Sequence, residues 1–331
     1  MLKFNEEKQI RSVRGALQLR EQIEKTVDRV WDEDLKNLCW LGIGGTWASC
    51  LQAVCHMKER TGLEVFSANA AEYCTTGDRR IGKGTCMVIS SVSGTTAEMV
   101  EAVKKARDAG AYVLGFIDHE QTPLAELVNT CITYPGNEQL KFFMTADRFL
   151  KNEKVLPDYE EMYRQFDCCL PEALASVEKA ADDFGREFAL AHKDDPLHYF
   201  IGEGTLYGAA YSYAMCYWEE MHWLRTKSIH AAELFHGMLE ILDEQTPVTL
   251  FIGEDSQRPL GERAERFLKK ICRNATIIDT RNYCLPGIDD KYRPMVCHLV
   301  MHAVTNRIDA HLEALTGHDM TLRRYYRQFD Y

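Results

Sequence analysis

Five hydroxyls crowd one glycine between residues 90 and 96: Ser90, Ser91, Ser93, Thr95 and Thr96 around Gly94. The apolar, β-prone run Met87-Val88-Ile89 precedes them. An amphipathic stretch with Ala97, Val100, Ala102 and Val103 on its apolar side follows. That order reads as strand, tight turn and helix N-terminus. Unpaired backbone N–H groups and the positive end of a helix dipole meet at such a junction, and hydroxyls add rotatable donors. The chemistry it suits is holding a phosphate monoester without a lysine. A single hydroxyl there would be read as a helix cap; five in seven residues point to an anion site.

A second group lies further on. Trp218-Glu219-Glu220-Met221 falls on a predicted helix between Tyr207 and Leu224, among Tyr211, Tyr213, Tyr217 and Trp223. Aromatic surroundings predict a partly desolvated carboxyl, its pKa raised toward the working range of a general base. Successive helical residues point about 100° apart, so only one of Glu219 and Glu220 can face a site. Ser228-Ile-His-Ala-Ala-Glu-Leu-Phe-His-Gly237 then brings His230, Glu233 and His236 before a glycine. This is not the His-Glu-x-x-His zinc pattern and has no further cysteine or histidine in register, so no metal is expected.

The elements that must position these groups alternate. Residues 6–30 read as a helix, and Leu38-Cys-Trp-Leu-Gly-Ile43 as a strand running into Gly44-Gly45-Thr46 and a helix from about Trp47 to Glu59. Leu63–Phe66, Ala111–Asp118 and Thr130–Tyr134 are further strands. Continuously apolar strands between helices indicate a parallel sheet covered on both faces, with ligands at the strands' carboxyl ends. After a charged helical stretch the pattern restarts. His198-Tyr-Phe-Ile-Gly-Glu-Gly-Thr lines up with Cys39-Trp-Leu-Gly-Ile-Gly-Gly-Thr, Gly202 matching Gly42 at an offset of 160. Gly253-Glu254-Asp255 carries acids where the first copy has hydroxyls. Two diverged copies of one α/β unit are expected, with one phosphate site per chain.

With 331 residues, 46% hydrophobic and 27% charged, the chain has ample material for two cores. A net charge of −11, with no basic cluster longer than Arg323-Arg324, argues against nucleic acid as a partner. No run approaches the roughly 20 apolar residues of a membrane span, and residues 1–8 lack a signal peptide's apolar stretch, so a cytoplasmic location is expected. The twelve cysteines form no Cys-x-x-Cys pair. They read as reduced, buried thiols rather than disulfides or metal ligands.

Gly42-Ile-Gly-Gly-Thr-Trp-Ala-Ser49, Ser91-Val-Ser-Gly-Thr-Thr96, and Glu220 with His236-Gly237 sixteen residues later resemble the sugar isomerase (SIS) domain family. The chain looks like the isomerase half of glucosamine-6-phosphate synthase. Through His230-Ala-Ala-Glu-Leu-Phe-His-Gly237 and Arg323-Arg324-Tyr325-Tyr326 it is more similar still to the fructosamine 6-phosphate deglycases. The resemblance implies two tandem SIS-type, flavodoxin-like parallel sheets with helices on both faces. A helical segment would span 1–35, a first SIS domain 36–150, a helical connector 151–195, and a second SIS domain with a C-terminal tail 196–331. Phosphate contacts would fall on Gly45, Thr46, Ser91, Ser93, Gly94 and Thr96, and further substrate contacts on Glu233 and Arg324. Glu220 would be the general base or acid. His236 would assist ring opening, often across a homodimer whose subunits share the active site.

The implied substrate is a phosphorylated sugar–amine conjugate, converted without metal or cofactor to glucose 6-phosphate and a free amino acid, fructoselysine 6-phosphate being the first candidate. The alternatives are another sugar-phosphate isomerase, an amino-sugar phosphate deaminase, or a non-catalytic sugar-phosphate sensor. The chain departs from the synthase in three ways: no glutaminase half is expected, Tyr217 stands for its lysine one turn before the catalytic Glu, and Leu322–Tyr326 supply no C-terminal lysine. The residues that would choose the amine are left open among Glu203, Glu233 and Tyr207.

Overall fold

The computed structural model describes residues 1–329, which fall into two compact units: Lys8–Pro171, and Met1–Glu7 together with Glu172 onward. The boundary lies inside the 151–195 segment, within one long helix. Among the described residues no helix is long and apolar enough to cross a membrane.

The first unit runs α1 (Glu6–Gln18), α2 (Arg20–Asp32), β1 (Asn37–Gly42), α3 (Gly45–Lys58), β2 (Glu64–Asn69), α4 (Ala70–Thr76), β3 (Thr85–Ser91), α5 (Ala97–Asp108), β4 (Tyr112–Ile117), α6 (Pro123–Leu127), β5 (Thr130–Ile132), α7 (Glu138–Asn152) and the first half of α8 (Tyr159–Ala180). The expected single helix over 6–30 is two, broken at Leu19, whose N–H bonds the Ala16 carbonyl only three residues back at 3.1 Å. All five strands are parallel in the order β2-β1-β3-β4-β5. Every residue of β1 and β3 is buried, because alternate side chains serve opposite faces. Cys39, Leu41, Met87 and Ile89 pack with Tyr73 of α4 and with Met99 and Val103 of α5. Trp40 and Phe116 point the other way, 5.0 and 6.1 Å from the Phe142 ring on α7. Helices therefore cover both faces, as the apolar runs require.

The second unit follows the same plan: α9 (Asp182–His192), β6 (His198–Gly202), α10 (Gly204–Ser212), β7 (Thr226–His230), β8 (Val248–Ile252), α11 (Arg258–Ile271), β9 (Ala275–Asp279) and α12 (Cys297–Thr316). Its parallel sheet has the order β7-β6-β8-β9. Ile201, Leu250 and Ile252 pack with Ala264 and Leu268 of α11. Phe200 and Phe251 face Tyr213, at 5.2 and 5.9 Å between rings. Residues 1–7 dock on α12: the buried Arg307 guanidinium donates to the Leu2 carbonyl at 2.8 Å and to Asp182 at 2.6 Å, and Lys3 pairs with Glu313.

The repeat is visible in the backbone. Gly42 and Gly202 close β1 and β6, and a Cβ on either would lie 2.8 Å from the Thr46 carbonyl carbon or 2.4 Å from the Leu206 oxygen. Only glycine lets each strand end so near the first turn of its helix. One feature is not repeated. α10 continues into a nine-residue π-helix, Tyr213–Met221, which carries Glu219 and Glu220.

Candidate functional site

In the first unit β1 and β3 are neighbours although β2 and β3 are consecutive, so the strand order reverses between them. Ligands on open parallel sheets settle at such a reversal, outside the carboxyl ends of the strands. Both expected phosphate segments lie there: Gly44-Gly45-Thr46 after β1 and Ser91–Thr96 after β3. The second turn is built from its own hydroxyls. Ser91 Oγ accepts the Gly94 N–H at 2.9 Å and Ser93 Oγ accepts the Thr95 N–H at 3.3 Å. Gly94 has φ +63° and lies against Thr122. Thr96 is the N-cap of α5, and its side chain makes no capping bond; uncapped N–H groups at a helix start favour anions. Ala97 and Glu98, at that end, are exposed. The Thr46 hydroxyl donates to Glu138 Oε2 at 2.8 Å. Glu138, on α7, was not singled out by the sequence. Gly45 is the first residue of α3, whose N-cap Gly44 supplies no side-chain cap.

In the second unit the two neighbouring glutamates part company. Glu219 is exposed and accepts the Thr226 hydroxyl at 2.8 Å. Glu220 accepts Arg323 Nε at 2.9 Å through Oε1. Glu220 is half-buried rather than enclosed. Its side chain is 37% exposed, because the apolar side of the segment is taken by Trp218, fully buried against Phe200 and His198. Among the described residues the carboxylate's hydrogen-bond partner is a guanidinium, held to Oε1 by a charge-assisted bond. Arg324, the tail residue expected at the substrate, lies over the Trp223 ring, 4.1 Å from its centroid. Arg323, one position earlier, is the residue that reaches the proposed base. Trp223 itself holds φ +60°, rare for a large side chain, and the His318 ring stacks on it at 4.3 Å.

His236 ends a short 3-10 turn, Leu234–His236, and is exposed, as are Glu233 and Gly237. Gly237 has φ +146°, a conformation open to glycine alone. The His230 ring lies 5.0 Å from that of Tyr207, and its Nδ1 accepts the Ala232 N–H at 3.0 Å. Among the described residues the grouping with metal-ligand spacing is elsewhere, at His192, Asp195 and His198. There both Nδ1 atoms meet one Asp195 oxygen, at 2.8 and 2.9 Å, and His198 Nε2 meets the Thr249 hydroxyl at 2.7 Å. That is a satisfied hydrogen-bond network tying the loop before β6 to β8.

The acids of the second copy also have a place. Asp255 Oδ2 accepts both the N–H and the hydroxyl of Thr205, each at 2.8 Å, at the N-terminus of α10. The protein's own carboxylate thus caps the helix that follows β6. Beside it Glu203 is fully buried and unavailable to a ligand, which removes it from the residues that could choose the amine. It accepts the Gly253 N–H at 2.8 Å through Oε1, while Oε2 has no partner. Burial, helped by the Asp255 charge, pushes its carboxyl from 4.5 up to about 8. Between those pH values the unfolded chain has released a proton that the folded chain keeps, so stability falls as pH rises from about 4.5 to about 8 and levels off above. Glu203→Gln removes that slope. Thermal melts should show the variant gaining on the parent protein steadily from pH 5 to pH 8; parallel curves would refute the assignment.

Comparison with known proteins gives a consistent picture. The SIS domain model matches residues 33–146. A fructosamine deglycase of Bacillus subtilis (strain 168) is 30% identical over 279 residues, covering 81% of this chain and 83% of that protein. A fructoselysine 6-phosphate deglycase of Escherichia coli O157:H7 is 22% identical, covering 92% and 89%. Among solved structures a candidate phosphosugar isomerase from Bacillus subtilis superposes with a TM-score of 0.87 at 25% identity, covering 94% of this chain and 97% of that one.

Proposed function

Because the chain belongs to the SIS-domain family of sugar-phosphate isomerases and deglycases, we propose that it is a fructosamine 6-phosphate deglycase. The observation that carries this is the 30% identity to a fructosamine deglycase over 83% of that protein's length. The uncapped turn at Ser91–Thr96 and the half-buried carboxylate of Glu220 supply the two kinds of chemistry required.

The substrate is an Amadori-type conjugate, with an amine on C1 and, once the ring opens, a ketone at C2. Thr46, Ser91, Ser93 and Thr96 hold the phosphate, with Gly45 and Gly94 letting the backbone approach. His236, acting across a homodimer, moves the ring-opening proton. Glu220 then takes a proton from C1, giving an enaminol, and a proton returned to C2 produces the C1 imine. Water adds to that imine and the amine leaves, giving glucose 6-phosphate and a free amino acid. Each step is a proton transfer beside a carbonyl or imine, the work a positioned carboxylate does. Arg323 holds Oε1, and the proton transfers are made by Oε2.

The test is release of glucose 6-phosphate from fructoselysine 6-phosphate and from its asparagine-type counterpart, read through a coupled dehydrogenase. Rapid release from either, lost in Glu220→Gln, is the expected result. Proton exchange at C1 with no amine released would make the protein an isomerase and end the deglycase reading.

A further inference from the structure

A π-helix needs help from outside itself. Its i→i+5 bonding accommodates an extra residue in each turn, which is why such turns are rare, short and concentrated at functional sites. Here nine residues adopt it, Tyr213–Met221, and Glu220 is the second last. Thr226 on β7 holds the segment's middle, donating to the Ala214 carbonyl at 3.2 Å and to Glu219 at 2.8 Å, but both ends are held by one atom. Asp309 Oδ1, on α12, accepts the Tyr213 hydroxyl at 3.0 Å and lies 3.1 Å from His222 Nε2. Tyr213 opens the π-helix and His222 follows its last residue, so the two side chains bracket the whole segment. All three are sealed from solvent, with exposures of 3% for Tyr213, 6% for His222 and 4% for Asp309. Beyond His222 the left-handed Trp223 re-aims the chain, and the Leu224 N–H closes back on the Trp218 carbonyl at 2.8 Å.

We infer that Asp309 is a positioning residue for Glu220: by gripping both ends of the π-helix through a single buried oxygen, it fixes where that carboxylate stands. The inference rests on the deglycase reading for its kinetic consequence but not for its structural one. Asp309 touches neither Glu220 nor any group assigned to the phosphate. Removing it leaves the Tyr213 hydroxyl and the His222 ring buried without a partner, and the segment free to relax into an ordinary α-helix of different register.

The test compares Asp309→Leu, which removes the grip at similar size, with Asp309→Asn, which keeps an acceptor for Tyr213. In Asp309→Leu, kcat should fall about 10- to 100-fold while KM and glucose 6-phosphate affinity stay within about two-fold. Asp309→Asn should recover much of that loss. Should Asp309→Leu not fold, Tyr213→Phe, which removes one arm only, should lower kcat several-fold at unchanged KM. Unchanged kcat, or kcat falling in step with glucose 6-phosphate binding, would overturn the assignment. Amide hydrogen exchange reads the same grip without any substrate. Exchange in the Asp309→Leu protein, or in Tyr213→Phe where that does not fold, should quicken at 213–222 and not in β6 or β8. Unaltered exchange there overturns the grip, whereas absence of deglycase activity in the parent protein overturns only the proposed reaction.

Discussion

Glu220→Gln is expected to cut glucose 6-phosphate release by about 10²- to 10⁴-fold, the range that a positioned acid or base contributes. The exchange keeps the shape of the side chain and an oxygen that can accept from Arg323, so the tail should stay in place and only the proton-accepting capacity is lost. Binding of glucose 6-phosphate should therefore change less than about three-fold. Glu219→Gln is the matched control. Its carboxylate is occupied by the Thr226 hydroxyl and exposed, and turnover should stay within about two-fold of the parent. If the two substitutions exchange behaviour, the base is Glu219 and the geometry of the π-helix has been misassigned a role.

Gly94→Ala should have the largest effect in the phosphate turn. A methyl there would lie 2.2 Å from Thr122 Oγ1 and 2.5 Å from its Cβ, at a backbone with φ +63°. Left-handed strain and the clash together should cost about 2–4 kcal/mol. The turn cannot move aside without breaking the Gly94–Ser91 bond and the bond from the Leu124 N–H to the Gly94 carbonyl. A lowered melting midpoint and an affinity for glucose 6-phosphate weakened at least about ten-fold should appear together. Gly136→Ala separates strain from crowding: φ is +69° there too, but nothing lies within 4 Å of the new carbon. Its cost should stay near about 1 kcal/mol with binding intact. Equal losses at both positions would mean that backbone strain alone accounts for the effect.

The strands and the turn at Gly94 were legible because their cause is local. Continuous apolar runs such as Trp40–Leu41 and Met87–Ile89 can only be buried on both faces, and hydroxyls around Gly94 can only be a turn. The repeat was legible for a related reason, since the glycine that ends each first strand is forced by close contact. What escaped is what depends on distant partners. A helical pattern of apolar residues does not distinguish α from π, and the grip of Asp309 on Tyr213 and His222 spans 96 and 87 residues. The tail has no periodicity to say which of Arg323 and Arg324 turns inward; the choice is made by stacking of Arg324 on Trp223. Aromatic neighbours suggested a partly desolvated Glu220, and the carboxylate is half-buried, but its partner Arg323 lies 103 residues away and leaves no mark on the local pattern.

The docking of the first seven residues on the last helix has a consequence for synthesis on the ribosome. Leu2 waits for Arg307 across a separation of 305 residues, which at ordinary elongation rates is about 15–60 seconds. Residues 8–171 emerge complete long before that and can close their own sheet. The unit that bears Glu220 has no such option, since residues 1–7 are made before the first unit and the helix they dock on only after α11. A nascent chain stalled at α11 should therefore hold a protected first unit beside a protease-sensitive second one.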